Sequence, residues 1–237
     1  MRNFFIITKI RAVLLLSIFV FGTNTYAQED AGNDYASAIT FGLVHSLNLA
    51  SMTGTLPSTN VSNLNSKTTI YAPRVTFDIG MTMDYYINKK LSVQMDLVYS
   101  YLGTKLVTKT NIYNEVGIVK KESYSRYTTS YFKLPLTINF YPVKGIYANA
   151  GGYFSSLISA SQYEHWYDNG NTIDDISPLD YGVIAGVGFN TPVVKVGFQY
   201  SYGLYDIINN DDYNLHHSVF QLILRWKFYS DLRKRNL

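Results

Sequence analysis

Eight segments of this 237-residue chain alternate apolar and polar side chains with a period of two. That is the repeat of a strand whose two faces meet different surroundings. The last reads SVFQLILRWKFY, from Ser218 to Tyr229. Phe220, Leu222, Leu224, Trp226 and Phe228 line one face, and the residues between them include Gln221, Arg225 and Lys227. The others are ITFGLVHSLNL (39–49), RVTFDIGMTMDYYI (74–87), LSVQMDLVYSY (91–101), SYFKLPLTINFY (130–141), IYANAGGYFSSLI (146–158), LDYGVIAGVGF (179–189) and VKVGFQYSYGL (194–204). The fifth, at 146–158, is the weakest and is small on both faces. No helical periodicity of any length accompanies them.

The connections restrict the architecture further. Three are short: 88–90, 142–145 and 191–193. Four are long: about 50–73, 103–128, 160–178 and 206–215. They alternate strictly, long then short. In an antiparallel sheet whose neighbours follow one another, all the tight turns then fall on one rim and all the long loops on the other. That is the plan of an up-and-down outer-membrane barrel. Closure removes the sheet edges, whose free backbone groups lipid cannot satisfy.

A soluble β-sandwich also alternates, so the contents of the two faces decide. Charges within the strands fall opposite the large apolar residues, and the apolar faces are rich in tyrosine near their ends. Amphipathic aromatic rings favour membrane interfaces. The polar faces carry many glycines and serines, which suits the narrow interior of a small barrel. Charged residues make up 16% of the chain, against roughly 25% in an ordinary soluble domain. The expected fold is an all-β, eight-stranded antiparallel up-and-down transmembrane β-barrel with its greasy face toward lipid and its polar face inward.

The N-terminus reads as an export signal. Arg2, Lys9 and Arg11 precede an apolar run from Ala12 to Gly22, and Thr25 and Ala27 stand where a signal peptidase reads small residues. The run is too short for a spanning helix, which needs about 20 residues. Cleavage is expected between Ala27 and Gln28. Losing residues 1–27 removes three cations and no acid, taking the formal charge from +3 to 0, so the basic balance gives no reason to expect nucleic acid. The expected organisation is a signal peptide (1–27), a short periplasmic segment (28–37), the barrel (38–229) and a basic periplasmic tail (230–237). Cysteine is absent, which excludes disulfides, thiolate metal sites and a Cys nucleophile.

The stretch FGLVHSLNLASMTG (41–54) resembles the opening strand of PorT-like outer-membrane β-barrels, with Ser46 in place of that family's second glycine before Leu47-Asn48. FKLPLTINFYPVKGIYANAGGYFSSLIS (132–159) is similar to its fourth and fifth strands, with Pro135 in a Leu-Pro-Leu signature and Gly151 and Gly152 following. LDYGVIAGVGF and SVFQLILRWKF match its sixth and last strands. The resemblance covers about residues 38–229 and implies a barrel in the outer membrane of a Gram-negative cell. Its motifs build barrels and carry no chemistry, and fold alone does not fix function.

Eight strands leave an interior just wide enough for side chains to fill. The polar faces bring Asp78, Asp84, Asp96 and Asp180 inward together with Lys133, Lys195, Arg225 and Lys227. Four acids against four bases are expected to form a structural plug of ion pairs and hydrogen bonds, since buried charges need partners. A narrow ion-conducting pore is the alternative. A lipid-modifying enzyme comes third and is not expected: among His45, His165, His216 and His217, no Ser–His–acid spacing stands out. His45 falls on the apolar face, where it breaks the pattern. No cofactor is expected.

The loops hold the remaining candidates. The third outer loop, SQYEHWYDNGNTIDDIS, mixes Tyr163, Trp166 and Tyr167 with Asp168, Asp174 and Asp175, a composition suited to contact with a glycan, a protein or a cation. Its oxygen ligands lack the spacing of a calcium-binding loop. The second outer loop alternates enough to extend its two strands into a hairpin above the membrane. The expected partners are outer-membrane lipids, the barrel-insertion machinery and an envelope protein or glycan met through the outer loops. The expected role is structural or interactive: adhesion, or support of an envelope or secretion machine.

Overall fold

The computed structural model describes residues 38–55, 66–114, 117–164, 171–172, 176–207 and 214–230. Nine strands run through them: β1 (Ala38–Thr55), β2 (Ser66–Asn88), β3 (Leu91–Asn114), β4 (Gly117–Val143), β5 (Ile146–Glu164), β6 (Asn171–Thr172), β7 (Leu179–Asn190), β8 (Val194–Gly203) and β9 (Asn214–Ser230). Eight form the wall. The two-residue β6 lies against β5 through Ser161↔Thr172 and Gln162↔Asn171. Every pairing is antiparallel, and the sheet closes on itself because β1 pairs with β9 while β4 pairs with β5. The eight-stranded up-and-down barrel expected from the alternation is therefore present.

Exposure follows the alternation without a break along most of the wall. Phe41, Leu43, Leu47 and Leu49 of β1 point outward, while Thr40, Val44, Ser46 and Asn48 are buried. On β9, Phe220, Leu222, Trp226 and Phe228 are exposed and Val219, Gln221, Ile223, Arg225 and Lys227 are buried. The large apolar side chains lie outside and the ionised ones inside, the inverse of a water-soluble core and the arrangement that a lipid surround requires. Tyr229 beside Phe41 and Tyr101 stacked on Phe77 mark the two edges of the apolar band. His45 is exposed within that band, opposite Ile79 on β2 and Leu224 on β9.

The strands are unequal, and this gives the barrel a tall side and a low side. Spanning lipid takes about 9–11 tilted residues. β7 has 12 residues and β8 has 10, whereas β3 has 24 and β4 has 27. The β3–β4 ladder continues to Asn114↔Gly117, β2–β3 to Ser66↔Asn111 and β4–β5 to Ser125↔Glu164. Four neighbouring strands thus rise as one sheet beyond the rim on which β7 and β8 stop. The hairpin expected for the second loop is the tallest part of it. At the other rim the turns are tight, and Gly145 takes φ +84° in the turn from β4 to β5, a conformation that favours glycine.

Irregularities in the ladders have local causes. Pro135 has no backbone N–H, and the β3–β4 ladder is interrupted between Met95↔Leu136 and Val98↔Lys133 with its register unchanged. A bulge between Pro73 and Phe77 re-aims Arg74 near the outer edge of the apolar band.

The barrel interior and the outer rim as candidate functional sites

All eight ionisable residues expected inside the barrel are buried there, each at most 4% exposed. They form tiers along the axis. Nearest the tight-turn rim, Ala38, Tyr86, Tyr141 and Tyr147 cluster, with Tyr86 stacked on Tyr141 at 5.9 Å. Lys227 donates to Asn190 Oδ1, to the carbonyl of Thr191 at 3.1 Å and to Tyr86 at 3.3 Å. In the next tier Lys195 donates to Gln94 Oε1 at 2.6 Å and meets Asp84 Oδ2 at 3.4 Å, with its ammonium 4.4 Å from the centre of the Tyr147 ring. Asp84 also accepts from Asn139 at 3.2 Å.

Arg225 and Asp96 form the second direct pair, at 2.7 Å. Asp96 takes further bonds from Thr82 at 2.6 Å and Gln94 at 2.9 Å. Asp78 is held differently. Neutral donors surround it: Asn48, Ser100 and Gln221, each at 2.7 Å. Toward the tall rim Lys133 lies over the Tyr153 ring at 4.0 Å, and the Tyr153 hydroxyl donates to Asp180 at 3.1 Å. Such contacts keep a buried charge tolerable without a one-to-one counter-ion.

The balance of four acids and four bases therefore does not resolve into four like pairs. Amides, hydroxyls and tyrosine rings carry much of the network. These tyrosines escaped the sequence reading, which assigned tyrosine to the membrane edges. Tyr86, Tyr131, Tyr141, Tyr147 and Tyr153 are all buried inside. Their shared parity with Asp84, Lys133, Asn139, Asn149 and Ser155 is the signal that would have found them, and for Tyr147 and Tyr153 so is a glycine opposite. A Cβ on Gly197 would come 2.2 Å from Tyr147 Oη, and one on Gly182 would come 2.7 Å from the Tyr153 ring. The inward glycines of β7 and β8 make the room that these rings occupy.

At the tall rim the lumen turns apolar. Met52, Ala160, Ile176 and Ile207 are buried together, with Tyr71, Tyr127 and Leu157 packed against them. Ile176 and Ile207 come from the two loops on the low side and are tied by backbone bonds from Ser177 to Ile207, at 2.7 Å, and from Ile207 to Leu215, at 2.9 Å. His217 points inward and meets Tyr131 at 3.3 Å, while its neighbour His216 lies by Tyr205 and Asp206.

Of the candidate loop residues, Tyr163 is exposed on β5. Trp166, Tyr167, Asp168, Asp174 and Asp175 lie outside the described residues, as does His165. Tyr163 belongs to a row that the sequence reading did not assemble. Ala72 on β2 pairs with Lys105 on β3, Lys105 with Arg126 on β4, and Arg126 with Tyr163 on β5. Arg74 lies close by. It donates to Thr128 at 2.7 Å, with its guanidinium 5.8 Å from the Tyr101 ring. Among the described residues, every Lys and Arg beyond the tall edge of the apolar band belongs to this side: Lys67, Arg74, Lys105, Lys109, Lys120, Lys121 and Arg126. The described acids beyond that edge are Glu122, paired across the ladder with Lys109, Glu164 at the end of β5, and Asp206 on the low side.

The family described as Outer membrane protein beta-barrel domain matches residues 26–209. No curated relative matches the sequence. Among solved structures the chain is similar to Ail, the attachment invasion locus protein of Yersinia pestis, in complex with the heparin analogue sucrose octasulfate. Identity is 11% and the TM-score 0.42, over 81% of this chain and 99% of that one. It is similar to Neisserial surface protein A at 15% identity and TM-score 0.42, again over 81% and 99%. Against the outer membrane protein OprG from Pseudomonas aeruginosa the values are 12% and 0.39, over 83% and 98%.

Proposed function

The chain belongs to the outer membrane protein β-barrel family, and from that premise we propose that it acts as an interaction or structural element of the envelope through its tall rim. It is a small barrel of the outer membrane in a Gram-negative cell, and lipid is its surround. In the proposed orientation the tall rim faces outward and both termini face the periplasm, since an even number of strands returns the chain to its starting rim. The Leu134-Pro135-Leu136 and Gly151-Gly152 motifs support placing it with the PorT-like barrels. The eight buried ionisable groups act in this reading as a structural plug.

One observation carries the proposal. Buried side-chain clusters stand at both ends of the lumen, Tyr86–Tyr141–Tyr147 at one and Met52–Ile176–Ile207 at the other, which supports reading the lumen as filled, while β2 to β5 continue well past the length that spans lipid. Backbone beyond the membrane adds nothing to crossing it, and a rigid sheet is a good mount for contact residues. The contact is with an envelope protein or a glycan, in adhesion or in support of an envelope or secretion machine.

Two measurements test this. Cysteine is absent, so a single Cys at Tyr163 carries a photo-cross-linker uniquely. Cross-linking on intact cells should capture a discrete partner from Tyr163→Cys and none from a Cys placed at Leu97, in the lipid band. Planar-bilayer recording of the purified barrel should show no steady unit current. Regular single-channel steps would overturn the filled-lumen reading in favour of a narrow ion-conducting pore.

A further inference from the structure

Lys105 and Arg126 are direct cross-strand partners on one face. Residues so placed hold their Cβ atoms about 4.5–5.5 Å apart, and like charges there destabilise a sheet. The strand stretches around them, 70–77, 101–109 and 123–130, contain no Asp or Glu, and Arg74 brings a third cation to the same side. A local conflict of this kind in an otherwise consistent sheet marks a place shaped by something other than folding.

Position identifies what that is. Lys105 shares the parity of Tyr99 and Tyr101, so the pair looks out over lipid and away from the lumen. It stands four residues beyond Tyr101, whose ring stacks on lipid-facing Phe77 at 5.6 Å. Four residues advance about 13 Å along a strand, or about 10 Å along the membrane normal at the usual tilt. The headgroup layer is about 5–7 Å deep on each side of the hydrocarbon, so the pair stands at its outer edge, with Arg126 exposed and the Lys105 ammonium 4.2 Å from the centre of the Tyr124 ring. Anionic lipid groups are the complementary ligand for cations at that height.

We propose that the outer face of β2 to β4, through Arg74, Lys105 and Arg126, binds a phosphate-bearing lipid of the outer leaflet. Lys105 and Arg126 hold one phosphate between them, which converts their repulsion into shared attraction. The guanidinium fork of Arg126 suits a phosphate, and Tyr163 beside it adds a hydroxyl donor. Arg74 closes the site from below, already aimed by its bond to Thr128. The low side of the barrel presents no described cation at this height, so the bound lipid occupies one sector of the perimeter. This inference names a ligand for the rim of the proposed function and rests on the tall rim facing outward.

The test uses the full barrel in phosphatidylcholine nanodiscs containing a minor fraction of diphosphoryl lipid A, with retained lipid A measured by native mass spectrometry. Each cation near an anionic membrane surface is worth about fivefold in binding. The R74Q/K105Q/R126Q variant, checked for folding by its heat-shifted gel mobility, should therefore hold lipid A about a hundredfold more weakly. Lipid A stripped of its phosphates should bind wild type as weakly. K89Q/K90Q/K144Q, altered at the tight-turn rim, should bind as wild type does. Undiminished retention by the first variant, or equal loss in the second, would overturn the site. Orientation is read separately: an impermeant maleimide should label Lys105→Cys on intact cells, and labelling only after lysis would remove the outer leaflet from the proposal.

Discussion

Arg225 and Asp96 meet across the lumen from strands that are not neighbours. Arg225 Nη2 lies 2.7 Å and Nε 3.3 Å from the same oxygen, Asp96 Oδ2. Both residues are 2% exposed, so each is the other's main compensation for leaving water. Breaking such a pair from one side leaves a bare buried charge, which costs about 3–5 kcal/mol. Asp96→Ala should lower the unfolding free energy in lipid vesicles by that much, read by urea titration of tryptophan emission. The double replacement D96L/R225M should recover most of the loss, because no ion then stays unpaired.

Glycines that seat tyrosines should be intolerant of a single methyl group. On Gly197 that carbon would lie 2.2 Å from Tyr147 Oη and 2.8 Å from the carbonyl of Val187. Overpacking of this sort costs about 1–3 kcal/mol. Gly152 provides the contrast, since its nearest neighbour is the Gly182 carbonyl at 3.2 Å. Gly197→Ala should shift the urea midpoint clearly, and Gly152→Ala should shift it less.

The outward faces can be mapped by depth. Leu222 is exposed between Leu47 on β1 and Phe198 on β8, in the middle of the apolar band. Leu222→Lys should cost about 2–4 kcal/mol in a bilayer, while Tyr229→Lys, at the band's edge, should cost about 0–1. Equal costs, measured by the same titration, would place Leu222 away from the bilayer centre.

Export should leave its mark on the mature chain. With residues 1–27 acting as a signal peptide, the barrel extracted from outer membranes should begin at Gln28. Its intact mass checks this. A mass that includes Met1 would make the N-terminal apolar run an anchor.

Much of the wall was legible beforehand, because a strand half in lipid writes its two faces into alternate residues. The eight segments, the three tight turns and the second-loop hairpin all reappear in the structure, with ends that lengthen toward the tall rim. Strand ends above the membrane were harder to read. There both faces meet water or other protein, so the alternation that predicts the hairpin does not say that Lys105 and Arg126 meet on one face of it. The buried tyrosines were missed for another reason. Parity puts Tyr86, Tyr131, Tyr141, Tyr147 and Tyr153 on the polar faces, but a narrow lumen suggested small residues there, and glycines against Tyr147 and Tyr153 make the room for two of these rings.

The sequence by itself determined which residues face lipid and which face the axis, since that division needs only parity along each strand. It also determined the number of strands and the rim on which each turn falls. Tertiary structure decided who meets whom: Asp96 with Arg225, Asp84 with Lys195, Asp78 with three neutral donors, and Lys105 with Arg126. Those contacts depend on the register between strands and on the curvature that brings non-neighbouring strands across a narrow lumen. Periodicity within one strand carries no record of either.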